Sequence, residues 1–283
     1  MDPLLLSWNL YHGRDAPPNA DLHTLRSLLL RRDEHDATHL QVNRPLQEEF
    51  AALIAAAEWS VCLLQETPPS WERILARGAG ASSYRAPTSR NWLGFARRLL
   101  ARWNPDLVGS WEGGSNLTLV RPPWRIVGPG RTLLLNPLPG RRLHERRRMS
   151  FVRLRSEHGE MCVANLHLTA GARRHAEHEA LVAAAAATRW AGATPLVLGG
   201  DFNLRPRETL VFGELARHYG LAAPTSPDAI DHLLTRGLEV VRAPSAWPPA
   251  RRELEVLVGL EMRRLRLSDH APLEATYGLS AVR

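Results

Sequence analysis

Leu196-Val197-Leu198-Gly199-Gly200-Asp201-Phe202-Asn203 is an apolar run that ends in two glycines and an acid–amide pair. A run with no polar face fits a strand covered on both sides. The two glycines let the backbone turn sharply and approach a ligand, and Asp201 and Asn203, two apart in an extended segment, point their side chains the same way. The plainer reading of the pair is an Asx turn.

The same pattern recurs outward from this stretch. Leu4-Leu5-Leu6 leads to Ser7-Trp8-Asn9, Val61-Cys62-Leu63-Leu64 leads to Gln65-Glu66, and Met161 to Ala164 leads to Asn165-Leu166-His167. Helical patterns lie between them at Leu22 to Arg32, Leu46 to Ala57 and Arg174 to Trp190. Strands alternating with helices predict a mixed α/β architecture. The polar strand ends run from Asn9 to His270, so one domain spanning 1–283 is expected to gather them, in place of the two small domains that 283 residues would allow.

Composition removes several classes. With 44% hydrophobic and 23% charged residues the chain is neither disordered, collagenous nor a disulfide scaffold. No apolar run exceeds eight residues, as in Phe50 to Ala57, whereas a bilayer-spanning helix needs about 20. No membrane span is expected, and the N-terminus shows no basic region followed by a long apolar core, so a cytoplasmic location is expected. Cys62 and Cys162 sit among apolar residues without a CxxC partner or a nearby histidine and read as inert core thiols. The formal charge of +7 would draw polyanions, but all 36 basic residues are arginine, a bias that GC-rich coding explains as readily as phosphate binding.

The polar strand ends have the makings of a reaction centre. Glu66 and the Asp201/Asn203 pair offer the oxygen ligands that Mg²⁺ or Mn²⁺ takes. Near the C-terminus, Ile230-Asp231-His232-Leu233-Leu234 and Leu267-Ser268-Asp269-His270 put acids within reach of imidazoles. A carboxylate that accepts a ring N–H fixes the histidine's tautomer and raises its basicity. The plainer readings are a turn for Ser268-Asp269-His270 and a satisfied strand histidine for His232.

Taken in order, these motifs resemble the endonuclease/exonuclease/phosphatase superfamily, the metal-dependent group that includes pancreatic-type deoxyribonucleases, AP endonucleases, inositol polyphosphate 5-phosphatases and neutral sphingomyelinases. The resemblance implies a four-layer αββα sandwich, two packed mixed β-sheets flanked by helices with the site at one end, and an in-line attack of water on phosphorus. By it, Glu66 binds the metal, Asn9 contacts metal-bound water or phosphate, and Asp269 helps hold a metal. Asp231 orients His270, Asp201 with Asn203 positions the attacking water, and His167 stabilises the phosphate or protonates the leaving oxygen. Either Asp201 or the Asp231–His270 pair takes the water's proton. Asn116 and Arg148 are further candidate donors to the substrate, although Arg148, among Arg146 and Arg147, reads equally as part of a solvated basic turn.

The implied enzyme is a monomeric phosphodiesterase with Mg²⁺ or Mn²⁺, acting on a phosphate-containing substrate such as DNA or RNA. A phosphatase or phospholipase acting on an inositol phosphate or lipid head group is the alternative, and a non-catalytic binding protein on the same fold is a third reading. His167 turns the resemblance away from the AP endonucleases. The separation of 57 positions from Asn9 to Glu66 exceeds a usual strand–helix–strand connection, so an insertion at about 12–58 is expected, with His12, Arg14 and Asp15 lining the substrate mouth. Between Arg90 and Trp111, Trp92, Trp103 and Trp111 interleave with Arg97, Arg98 and Arg102. This stretch reads either as a base-stacking surface or, with slight preference, as core tryptophans beside exposed arginines. A zinc site at His175 and His178 is disfavoured, because His-x-x-His-Glu matches no zinc spacing and cysteine ligands are lacking.

Overall fold

In the computed structural model the four apolar runs that lead to polar ends, at Leu4, Val61, Met161 and Leu196, lie in strands. The structure describes residues 2–88, 94–136, 146–222 and 226–279. In chain order the strands are β1 (Leu4–Asn9), β2 (Glu34–His35), β3 (His39–Gln41), β4 (Val61–Gln65), β5 (Ser82–Pro87), β6 (Ser115–Val120), β7 (Arg125–Leu134), β8 (Arg148–Ser156), β9 (Gly159–His167), β10 (Leu196–Asp201), β11 (Asp231–Arg236), β12 (Leu238–Ala246), β13 (Glu253–Val258), β14 (Glu261–Arg266) and β15 (Leu273–Leu279). The helices are α1 (Leu25–Leu30), α2 (Gln47–Ala56), α3 (Glu72–Gly78), α4 (Gly94–Trp103), α5 (Pro105–Val108), α6 (Arg173–Ala191) and α7 (Val211–Tyr219).

Two large sheets follow from the pairing, with orders β12-β15-β1-β4-β6-β5 and β11-β10-β9-β8-β7. Each holds one parallel pair, β1 with β4 and β9 with β10, among antiparallel neighbours. The alternation of side chains along the strands sorts the core into layers. Leu5, Val61 and Leu63 of the first sheet meet Met161, Val163 and Val197 of the second in a shared apolar interior. Leu6, Trp8, Cys62 and Leu64 point the other way, onto Phe50 and Ile54 of α2 and Leu75 of α3. Cys162, Ala164, Leu196 and Leu198 pack outward on α6 and α7, where the small side chains Ala176, Ala180, Ala183 and Ala187 let the long helix lie close to the sheet. The result is helix, sheet, sheet, helix.

A third sheet, ordered β13-β14-β3-β2, has no counterpart in the sequence reading. Of residues 12–58, α2 covers the first sheet, while β3 runs parallel to β14 and buries Leu40 beside Leu265. This sheet fastens the chain after Asn9 to the chain before His270: Asp15 bridges Leu267, and the Ser268 N–H donates to the Arg14 carbonyl at 3.0 Å.

Several expectations need correcting. Asp15 does not line a mouth, since it is fully buried and accepts the Val42 N–H at 3.1 Å. Trp103 and Trp111 are not core residues, at 53% and 50% exposure. Arg90 and Trp92 lie outside the described residues, as does the side chain of Arg98. The glycines of β10 are required by packing: a Cβ on Gly200 (φ +130°) would stand 2.0 Å from the Leu166 carbonyl oxygen, and one on Gly199 2.5 Å from Leu233 Cδ2.

Candidate active site

Register brings the polar strand ends together. In the second sheet Asp201 lies beside His167 on one side and Asp231 on the other. In the first, Asn9 pairs with Gln65, and Glu66 follows directly. Both sets stand at the same end of the sandwich, where Asn9 Nδ2 donates to Asp201 Oδ2 at 3.0 Å. Beneath them a second bridge joins the sheets: Gln65 Nε2 donates to Asn165 Oδ1 at 2.8 Å, and Asn165 Nδ2 reaches the Leu64 and Leu117 carbonyls at 3.2 Å. Fully buried amides must find partners, and here each fixes the other's strand.

Asp201 Oδ2 is the meeting point. Besides Asn9, it has His167 Nε2 at 3.4 Å and His270 Nε2 at 3.9 Å. His270 Nδ1 donates to Asp231 Oδ2 at 2.7 Å, and Trp8 Nε1 holds the His270 carbonyl at 2.9 Å. Glu66 lies opposite, with Oε2 3.3 Å from His12 Nε2 and Oε1 3.8 Å from His167 Nε2. The Arg147 guanidinium is 3.0 Å from both ring nitrogens of His167.

Asn203 is not in extended chain as the sequence suggested. Its φ is +51°, its N–H donates to Asp201 Oδ1 at 2.9 Å and its Nδ2 to the Leu168 carbonyl at 3.0 Å, so the Asx-turn reading holds and the turn itself orients Asp201. His232 is the satisfied strand histidine, fully buried, with Nε2 3.1 Å from the Leu204 carbonyl and its ring against Phe202 and Phe212. Asn116 is fully buried in β6, and its Nδ2 donates to the Arg148 carbonyl at 2.6 Å. The Arg148 Nε is buried without a partner. Arg147, next to it, makes the contact with His167, a distinction that a run of three arginines conceals.

Backbone strain marks the same place. Of six non-glycine residues with positive φ among the described residues, Tyr11, His12, Glu66, Asn203 and Ser268 all surround this cluster. Ser268 is held by Oγ donating to the Asn9 carbonyl at 2.6 Å.

The electrostatics follow from burial. Desolvation pushes the Asp201 carboxyl up, and the Asp231 charge adds to this, against His270 and the hydrogen bonds from Asn9 and Asn203. Burial opposes charge on His270, but Asp231, Asp201 and Asp269 outweigh it and raise the imidazole to about 10. His167 is held well below its ordinary value by burial and by the positive charge of Arg147, His270 and His12, so its ring is neutral near pH 7. Burial raises Glu66, Arg147 lowers it, and the charge of Asp269 raises it again. A largely buried carboxylate, Glu66, facing the charge of an exposed one, Asp269, is an oxygen donor pair suited to a hard divalent cation. Asp201, Asp231 and His270 also lie within 4.8 Å of one another. There, however, the 2.7 Å contact is that of a carboxylate and an imidazole sharing a proton.

Comparison with known proteins places the chain in a family and gives its fold counterparts. Residues 6–270 match the model of the Endonuclease/Exonuclease/phosphatase family. An endonuclease/exonuclease/phosphatase family protein from Bacteroides thetaiotaomicron superposes with a TM-score of 0.66 at 14% identity, covering 99% of each chain. A mannosyl-6-phosphatase from Bacteroides thetaiotaomicron VPI-5482 gives 0.65 at 14% identity, covering 97% of this chain and 99% of its own. The human Nocturnin catalytic domain with bound sulfate anion gives 0.61 at 15% identity, covering 99% and 95%. At such identities the likeness is one of fold. A search of curated proteins returned no match.

Proposed function

The chain belongs to the endonuclease/exonuclease/phosphatase family, whose members are hydrolases of phosphoester bonds, generally dependent on a divalent metal, and from that premise we propose that it hydrolyses a phosphodiester by in-line attack of water. The observation that carries the proposal is the convergence of Asn9, His167 and His270 on Asp201 Oδ2.

A phosphodiester resists attack because its oxygens carry negative charge, so catalysis needs positioned donors, a base and a neutralising cation. Glu66 and Asp269 would hold Mg²⁺ or Mn²⁺, with Asn9 beside them, and the bound ion would neutralise phosphate charge. Asp201, aimed by Asn9 and by the Asn203 N–H, orients the water and takes its proton. His270, its Nδ1 fixed by Asp231, presents Nε2 to a phosphate oxygen. His167, neutral and braced by Arg147, donates to the phosphate or to the leaving oxygen. A cavity of about 600 Å³ beside Asp231, Asp269 and His270, walled by Ile230, Pro244 and Leu273, gives room for a group beyond the phosphoryl centre and favours a diester over a small monoester.

The test is a comparison of chelated protein with protein supplied with Mg²⁺ or Mn²⁺, on plasmid DNA, RNA, a generic phosphodiester, a phosphomonoester and inositol phosphates. Metal-dependent cleavage of diesters is expected. Turnover confined to monoesters would move the assignment to a phosphatase, and no metal-dependent turnover on any of them would reject it.

A further inference from the structure

The proposed chemistry leaves unused a surface on the Glu66 side of the site. On α4, Phe95, Leu99 and Trp103 follow at four-residue spacing and therefore share one face. That face is open: they are 74%, 53% and 53% exposed. On α1, Leu29 and Leu30 are 63% and 61% exposed. The two helices adjoin, with the Arg31 guanidinium 5.6 Å from the Trp103 ring centre and Asn104 Nδ2 donating to the Leu28 carbonyl at 2.5 Å. Cations predominate around it: Arg26, Arg31, Arg32 and Arg102 are exposed against the exposed Asp33, and α4 contains no acid. Five large apolar side chains open to water on two adjoining helices, beside cations, are more than the scattered exposed leucine of an ordinary surface.

We propose that this face docks on an anionic lipid bilayer. Leucine, phenylalanine and tryptophan on one side of a short helix, with arginines around them, suit the boundary between acyl chains and charged head groups. The arginines match anionic lipid in sign. Single-stranded nucleic acid would use the arginines and the tryptophan but has nothing to stack on Leu29, Leu30 and Leu99, which an acyl layer does cover. The placement has a consequence for the site. Arg102 and Gly109 line a small pocket with His12, whose ring is 3.3 Å from Glu66, so a bilayer against α4 would lie beside the reaction centre.

The experiment reads binding and not hydrolysis, so it is independent of the catalytic proposal. The intact chain is sedimented with neutral phosphatidylcholine vesicles and with vesicles enriched in phosphatidylglycerol, and its tryptophan fluorescence is followed with brominated lipids. Binding to the anionic vesicles alone, reversed by salt and accompanied by quenching, is expected. Replacing Arg26, Arg31 and Arg32 with serine should weaken partition roughly 100-fold at low salt, since each cation near the surface contributes several-fold. Leu99→Glu with Trp103→Glu should abolish quenching, and because all five side chains are exposed, circular dichroism and melting should be unchanged. Failure to bind anionic vesicles would overturn the inference, as would binding without quenching. Tighter binding to a single-stranded oligonucleotide, lost in the same variants, would give the face to nucleic acid instead. A dimer dissolved by Leu99→Glu with Trp103→Glu would give it to a second copy.

Discussion

Asn9 at the end of β1 donates a 3.0 Å hydrogen bond to Asp201 at the end of β10, and this bond closes the gap between the two sheets where the chemistry is proposed to occur. Asn9 Oδ1 in turn accepts the Tyr11 N–H at 2.9 Å, so the amide cannot rotate freely. Asn9→Ala should therefore lower kcat by about 100-fold, the usual loss when one positioned donor is removed, with KM changed little. Steady-state kinetics checks this, and an unchanged kcat would remove Asn9 from the site.

Glu66→Gln keeps the shape of the side chain and removes the charge that a metal would use. Turnover should fall by about 1,000-fold or more, and calorimetric titration with Mg²⁺ or Mn²⁺ should lose most of its signal. Stability without metal should hold or rise, since burial already disfavours the carboxylate's charge. Normal metal binding by this variant would overturn the assignment.

Much of this site is legible in the sequence because a strand that is apolar on both faces leaves its polar residues only at its ends. Asn9, Glu66, His167 and Asp201 all follow that rule. Cys62 and Cys162 also behave as their neighbours suggest: both are buried, and burial pushes both thiols up. The third sheet is not legible, because β2 and β3 are two and three residues long and are ordered by β14, more than 200 positions away. The Gln65–Asn165 bridge is hidden for a similar reason, since it depends on how the sheets face each other. Arg147 precedes the first residue of β8, where no pleat dictates its direction. Asn203 is hidden for the opposite reason: period two holds only to Asp201, the last residue of β10, and Asn203, two residues on, is left-handed.

His270 and Asp231 form a pair whose parts are separable by substitution. Asp231→Asn keeps the hydrogen-bonding shape but removes the charge that raises His270. An NMR titration of His270 should show its pKa moving down from about 10 in that variant. His270→Ala should cost about 100- to 1,000-fold in kcat, and the double variant should be little worse than His270→Ala alone, because residues that act as a unit are not additive. Additive losses would mean that Asp231 acts independently of the imidazole.

Asp15 provides a test of stability against pH that leaves the reaction aside. The carboxyl is fully buried; desolvation is the main cause and the Asp106 charge a second, and together they raise it from 3.8 to about 8. A carboxyl that binds its proton more tightly when folded makes the unfolded chain the lesser proton binder between those two values, so stability falls as pH climbs from about 4 to about 8 and then levels. The whole effect is on the order of a few kcal/mol. Asp15→Asn keeps an acceptor for the Val42 N–H and places an uncharged amide where Oδ1 has no partner. Denaturant unfolding at several pH values should find the variant close to the parent near pH 4 and more stable near pH 8. Equal stability at pH 8 would mean that Asp15 is not held protonated by its surroundings.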